Sequence, residues 1–136
     1  MSQPEKSQNL SSRALHAADR RTWTRIGTGV EVFVAGRHEG NGTTAMFQRI
    51  RKTEVPELEA VPHTHIADCQ TVVMDGEVEI SFGSDDVHVL KAGDYLRVPA
   101  GTPHVQSVVS DRAEVFVLTD GDPGIEFVVP ERWNSK

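Results

Sequence analysis

The chain has 136 residues and a formal net charge of −6, enough for one domain with a hydrophobic core and too short for two of ordinary size. Its 38% hydrophobic and 25% charged residues are those of a globular protein, and with no basic run it is a poor match for a nucleic-acid backbone or an anionic membrane surface. No stretch is apolar for long enough to span a bilayer, the first residues lack the apolar run of a secretory signal, and a single cysteine, Cys69, allows no internal disulfide, so a cytoplasmic location is expected.

Residues 1–12 are rich in Ser, Gln, Glu and Lys without apolar periodicity and read as a flexible tail. The stretch SSRALHAADRR that follows suits a short helix capped by Ser11 or Ser12. Residues 1–22 are thus an expected arm before a domain at 23–136. From Trp23 onward the chain changes character. Short runs rich in Val, Ile, Phe and Thr recur: VEVFVA (30–35), TAMFQRIRK (44–52), QTVVM (70–74), EVEISF (77–82), VHVL (87–90), YLRVP (95–99), VQSVV (105–109), AEVFVLT (113–119) and IEFVV (125–129). The segments GRHEGNG, MDG, GSDD, KAGD, PAGTP and TDGDPG punctuate them with turn residues. Many short strands with polar punctuation predict an all-β sandwich or barrel.

Alternation assigns faces. In EVEISF, Val78, Ile80 and Phe82 share one side, and Glu77, Glu79 and Ser81 the other. His63 and His65 are two apart, so on a strand both rings project the same way. That arrangement is what a metal requires, and by itself it is weak evidence. The second half of the signal is GDYLRVPAGTPHVQSV (93–108), where Gly93 and Asp94 turn into a strand and Pro99, Gly101 and Pro103 form a rigid corner before His104.

Together the two stretches resemble the cupin superfamily. Its first motif is Gly, His-x-His, three or four residues, Glu, six residues, Gly. Its second is Gly, five residues, Pro-x-Gly, two residues, His, three residues, Asn. His63, His65 and Gly76 match the first, and Gly93, Pro99, Gly101 and His104 match the second, over roughly residues 30 to 128. The resemblance implies a double-stranded β-helix, a jelly-roll barrel, in which His63, His65 and His104 hold one divalent ion. Three imidazoles do not name the metal: Fe(II) is favoured, with Zn, Ni and Mn open. Small cupins also pair, so a homodimer is expected, with Trp23, VEVFVA and Trp133 as the apolar candidates for its contact.

The departures from the motif matter. The family's Glu is absent, and counting places either Cys69 or Gln70 near its position. Strand parity from the Gly76 turn points Cys69 inward with Thr71 and Val73, whereas a one-residue bulge would turn Gln70 inward. Gln70 is the expected fourth ligand and Cys69 the alternative, since a thiolate beside an oxygen-activating ion is open to oxidation; where neither ligates, water fills the position. Val108 replaces the terminal Asn of the second motif and shares a face with His104 and Gln106. Met46, Gln48 and Ile50 alternate on an earlier strand and are candidates for the site wall. Gln70, Tyr95 and Arg97 are candidate catalytic residues, weighed against ordinary wall packing and a solvated charge. His16, His38 and His88 have no companions at ligand spacing and read as solvent histidines.

Three functions compete on this reading. The first is a three-histidine Fe(II) dioxygenase acting on a small oxygenated molecule, an enolisable carbonyl or an aromatic. The second is a non-redox Zn, Ni or Mn Lewis-acid isomerase, cyclase or lyase. The third is a small-molecule-binding or metal-binding module without catalysis.

Overall fold

The computed structural model describes residues 15–128; the expected tail, its capping serines and Trp133 lie outside them. A 3-10 turn at Ala18–Arg20 precedes eleven strands. These are β1 (Thr24–Gly27), β2 (Val30–Arg37), β3 (Thr44–Arg51), β4 (His63–His65), β5 (Cys69–Asp75), β6 (Glu77–Ser81), β7 (Val87–Lys91), β8 (Tyr95–Val98), β9 (Val105–Val108), β10 (Arg112–Thr119) and β11 (Ile125–Phe127). The nine predicted runs each form a strand. The nine runs do not include β1, a short segment that ends on glycine, or β4, the three-residue His63–His65 segment.

One six-stranded sheet runs β1-β2-β3-β10-β5-β8, and it faces a three-stranded sheet β7-β6-β9 and the pair β11-β4. Every named pairing is antiparallel. This is the jelly-roll architecture: one face of each strand is solvated and the other packs on the opposing sheet. Period-two alternation produces it. Along β3 the inward residues Thr44, Met46, Gln48 and Ile50 are buried, and those between them are less so. Val73, Val78, Ile80 and Val115 are fully enclosed. At the turn between β5 and β6, Gly76 has φ +77° and a Cβ there would sit 2.4 Å from the Arg112 carbonyl oxygen, so only glycine fits.

The outer face of the large sheet carries a second aromatic layer. Phe33, Phe47 and Phe116 line up across β2, β3 and β10, and the chain before β1 lies over them. The Arg21 guanidinium stacks 3.8 Å from the Phe47 ring centre and pairs with Glu114, and Arg49 stacks 4.1 Å above Trp23. Trp23, expected at a dimer contact, is thus engaged by its own barrel. Among the described residues no helix is long and apolar enough to cross a membrane.

Candidate metal centre

Four buried side chains converge inside the barrel: Glu59, His63, His65 and His104. Their potential ligand atoms all lie within 4.8 Å of one another. The backbone explains the convergence. His63 and His104 face each other as an antiparallel pair that exchanges both backbone hydrogen bonds, at 3.0 and 2.9 Å, and their ring centres are 4.3 Å apart. Strand β4 is held on its other edge by β11, with Ile125 opposite His65 and Phe127 opposite His63. The Pro99–Gly101 corner is fixed to β4 and its following turn: the Gly101 N–H donates to the His65 carbonyl at 3.0 Å, and the Ala100 N–H donates to Asp68 Oδ1 at 2.7 Å.

Hydrogen bonds also fix the ring orientations. Nδ1 of His63 donates to the Val61 carbonyl at 2.8 Å, and Nδ1 of His104 donates to the Thr102 carbonyl at 2.9 Å. Because a carbonyl only accepts, the Nδ1–H tautomer is selected in each neutral ring, and the Nε2 lone pair is left for the centre of the cluster. His65 has no such partner. Its Nδ1 is buried without a hydrogen bond, as is Nε2 of His63.

The fourth donor is Glu59. Its segment runs beside β9: the Gln106 N–H donates to the Glu59 carbonyl at 2.8 Å, and the Val108 N–H donates to Glu57 Oε1 at 3.1 Å. Glu59 Oε1 then stands 3.4 Å from Nε2 of His63 and 3.8 Å from Nε2 of His65. Burial pushes its carboxyl towards the neutral form, but the contact with His63 and the fields of the three imidazoles outweigh this and hold its pKa below the usual value. On His63, burial opposes the charge but Glu59 raises the pKa above 6.5. Burial dominates on His65, which is lowered, and on His104, which is lowered to about 4.

These residues fit a divalent ion. Glu59, His65 and His104 border a void of about 20 Å³, room for one water-sized body. The orphaned Nε2 of His63 is a buried polar atom that lacks a partner, an arrangement that proteins otherwise avoid. Three neutral imidazoles and a carboxylate are a donor set for Fe, Zn, Ni or Mn.

The three expected histidines are therefore brought together, and the fourth neighbour differs from expectation. Gln70 is on the outer face, exposed, and its Oε1 accepts a hydrogen bond from the Tyr95 hydroxyl at 2.8 Å. The bulge needed to turn it inward is absent at this end of β5. Gln70 pairs in register with Leu118 and Arg97, and the β5–β10 irregularity falls near Val115. Tyr95 is exposed as well, and Arg97 pairs with Asp68 on the surface, so none of the three catalytic candidates reaches the cluster. Cys69 does point inward, as parity predicts, and lines the wall beside Glu59 and His65. It is outside the four-donor group, and burial, with Glu59 and Asp68 nearby, pushes its thiol up to about 12. His16, His38 and His88 are exposed.

The cluster opens into a cavity of about 280 Å³ between β2, β3, β10, Leu58 and the β10–β11 connection. Met46 and Gln48 contribute to its wall as alternation suggests, and Ile50 belongs to the core instead. Gln106 borders the void by the ion site, and Val108 packs in the core.

Comparison with known proteins agrees with this architecture. A family model described as a cupin domain matches residues 52–121, and the chain belongs to that family. A candidate acetylacetone dioxygenase from Methylibium petroleiphilum PM1 superposes with a TM-score of 0.67 at 14% identity, covering 88% of this chain and 83% of that one. KdgF from Halomonas sp. gives 0.61 at 18% identity, covering 76% and 92%. The Fe(II) form of HppE gives 0.62 at 14% identity, covering 79% and 60%. At such identities the likeness is one of fold. No curated protein matches the chain.

Proposed function

We propose that the protein is a mononuclear metal-dependent enzyme acting on a small oxygenated organic molecule, first of all as an Fe(II) dioxygenase. One observation carries this reading: the buried Glu59–His63–His65–His104 cluster opens directly onto a cavity of ligand size. A bound divalent ion would supply Lewis acidity and, if iron, a site for O₂. The chain's own residues do the rest. His63 and His104 present fixed Nε2 atoms, Glu59 adds a negative charge, and the apolar barrel wall lines the open side.

The choice between redox and non-redox chemistry rests on what the cavity wall lacks. Isomerisation or lysis needs a residue that takes and returns a proton with a pKa near the working pH. Outside the cluster, the titratable side chain among the described wall residues is Cys69, whose thiol, pushed up to about 12 by burial, is a poor match. Glu59 is held ionised among the imidazoles and is a weak base there. Oxygenation of an already enolised or phenolic substrate requires no such residue. Fold neighbours offer precedents for both readings: an Fe(II) protein and a candidate dioxygenase for the first, and DMSP lyases for the second.

The test is metal analysis of untagged protein, followed by O₂ uptake with a panel of diketones and catechols on Fe(II)-loaded protein. Iron near one equivalent with O₂ uptake by at least one substrate is the expected result. A protein that holds zinc, consumes no O₂ and isomerises a carbonyl substrate would move the assignment to Lewis-acid chemistry.

A further inference from the structure

The cavity beside the four donors has a sharply uneven chemistry. Its wall is built largely from Ile26, Val34, Met46, Leu58, Val117 and Ile125, and no Lys or Arg is among the described residues that form it. Glu59 and His65 at the inner end belong to the donor cluster. Ile26 and Val34 are about half exposed and stand at the opening, which gives a ligand a way in. At about 280 Å³ the space lies just under the range for drug-sized ligands, so it suits a smaller molecule. One neutral amide interrupts the apolar wall. Gln48 is buried, and its Nε2 donates to the Met46 thioether at 3.7 Å. A thioether is a weak acceptor, so that N–H is readily turned to a better one.

Charge narrows the ligand further. A divalent ion, the Glu59 carboxylate and neutral imidazoles sum to +1. A ligand bringing one negative charge makes the buried site neutral. A second negative charge would leave the enclosed site with a net charge of −1, and no Lys or Arg among the described lining residues is there to offset it. We propose that this cavity selects monoanionic oxygen chelators with an uncharged apolar substituent, and that Gln48 is the positioning residue for the chelating end. The proposal rests on the metal reading of the four-donor cluster. It identifies the substrate class as alkyl- or aryl-substituted enolates and related single-charge chelates, and excludes dicarboxylates, phosphonates and sugar acids.

The test uses the Co(II)-loaded full chain, with ligand binding followed by the visible spectrum of the ion. Two bidentate probes are compared at one pH: 1-phenyl-1,3-butanedione, which is apolar and monoanionic when bound, and malonate, which is dianionic. The diketone should bind at least 100-fold more tightly. Val34→Arg places a cation at the exposed rim without touching the donors; it should leave cobalt content unchanged and tighten malonate at least tenfold. Gln48→Leu keeps the volume and removes the amide, and should weaken the diketone several-fold with cobalt retained, whereas Gln48→Glu should weaken it further by repelling the anion. Malonate binding as tightly as the diketone to wild-type protein, or no gain for malonate in Val34→Arg, would overturn the selectivity while leaving the metal reading intact. Failure of the wild-type chain to hold cobalt would overturn the metal reading, and the selectivity with it.

Discussion

The two ends of the barrel interior are made from the same strands and differ in what those strands carry inward. At the closed end the inward residues are Ile50 on β3, Val73 on β5, Val78 on β6, Val108 on β9 and Ala113 and Val115 on β10, all in one apolar cluster. Moving along the same strands to the open end, polar residues join the apolar ones on the inward face: Gln48 and Thr44 flank Met46, Thr71 and Cys69 follow on β5, Gln106 leads to His104, and Thr119 follows Val117. Register aligns these changes across the sheet. Ala113 sits opposite Ile50, and Thr119 sits opposite both Thr44 and Cys69. The difference shows a division of labour within one fold: hydrocarbon packing at one end fixes the strand spacing, and that spacing lets polar groups meet at the other.

The division is broken most severely at the polar end. Replacing His63 or His104 by Ala removes a donor whose orientation is fixed by backbone pairing, and metal affinity should fall about 1,000-fold, or roughly 4 kcal/mol. Glu59→Gln keeps the shape and removes the charge, and should cost at least tenfold. Metal analysis after dialysis against a graded chelator reads both. The fold itself should survive, because the closed end is untouched.

The converse substitution is next in size. Ile50 is buried in the closed-end cluster, and Ile50→Ala should lose about 2–5 kcal/mol through lost transfer free energy and the cavity left behind. Denaturant unfolding of metal-free protein measures it. Metal affinity of the fraction still folded should remain within a few-fold. A variant that stays stable yet loses its metal would show that the two ends are not separable.

Acidity sharpens the contrast, because only the polar end titrates. Metal binding requires neutral imidazole. The raised pKa of His63 means that proton competition begins above pH 6.5 as the pH falls, whereas His104 stays neutral down to about pH 4. Occupancy at limiting metal should thus decline from near neutrality, by about tenfold per pH unit for a single competing proton. In metal-free protein the sign for His104 is separate. Its folded value is depressed below 6.5, so its contribution to stability is present above that pH and is lost as the pH falls towards 4, up to roughly 3 kcal/mol. The His63–Glu59 contact opposes this in part. It stabilises the protonated ring below pH 6.5, and that gain fades as pH rises through the raised value. Unfolding curves from pH 8 to 4, with and without metal, resolve the two.

How much of this was legible beforehand differs between the ends for a physical reason. Alternation is a local signal, so Val78 and Ile80, or Cys69, Thr71 and Val73, announce their face in the sequence. His63, His65 and His104 sit in the two stretches whose spacing resembles the cupin motifs. Glu59 does not. It lies before the first motif in ELEAVP, outside any strand, and is brought to the cluster by a hydrogen bond from Gln106 on β9. The available hint was two carboxylates, Glu57 and Glu59, alternating beside Leu58 in an otherwise apolar stretch, which is a costly arrangement unless both are paired. The preference for Gln70 failed because it required a bulge where the β5–β10 ladder is regular, while the parity that turned Cys69 inward was sound.

The smallest predicted effect tests that last correction. Gln70 and Tyr95 hydrogen-bond to one another on the outer face, on the far side of β5 from the donors. Gln70→Ala and Tyr95→Phe break an exposed contact, and the groups released are hydrated at once. Stability should change by no more than about 0.5 kcal/mol, and metal affinity should stay within about threefold, or roughly 0.6 kcal/mol. Strand geometry makes this a strict test. A slip of one residue in β5 would exchange its two faces completely, turning Gln70 in and Cys69 out. A loss of metal in Gln70→Ala comparable to that in Glu59→Gln would therefore mean that β5 is out of register, and it would displace Cys69 from the cavity wall as well as Glu59 from its place as fourth donor.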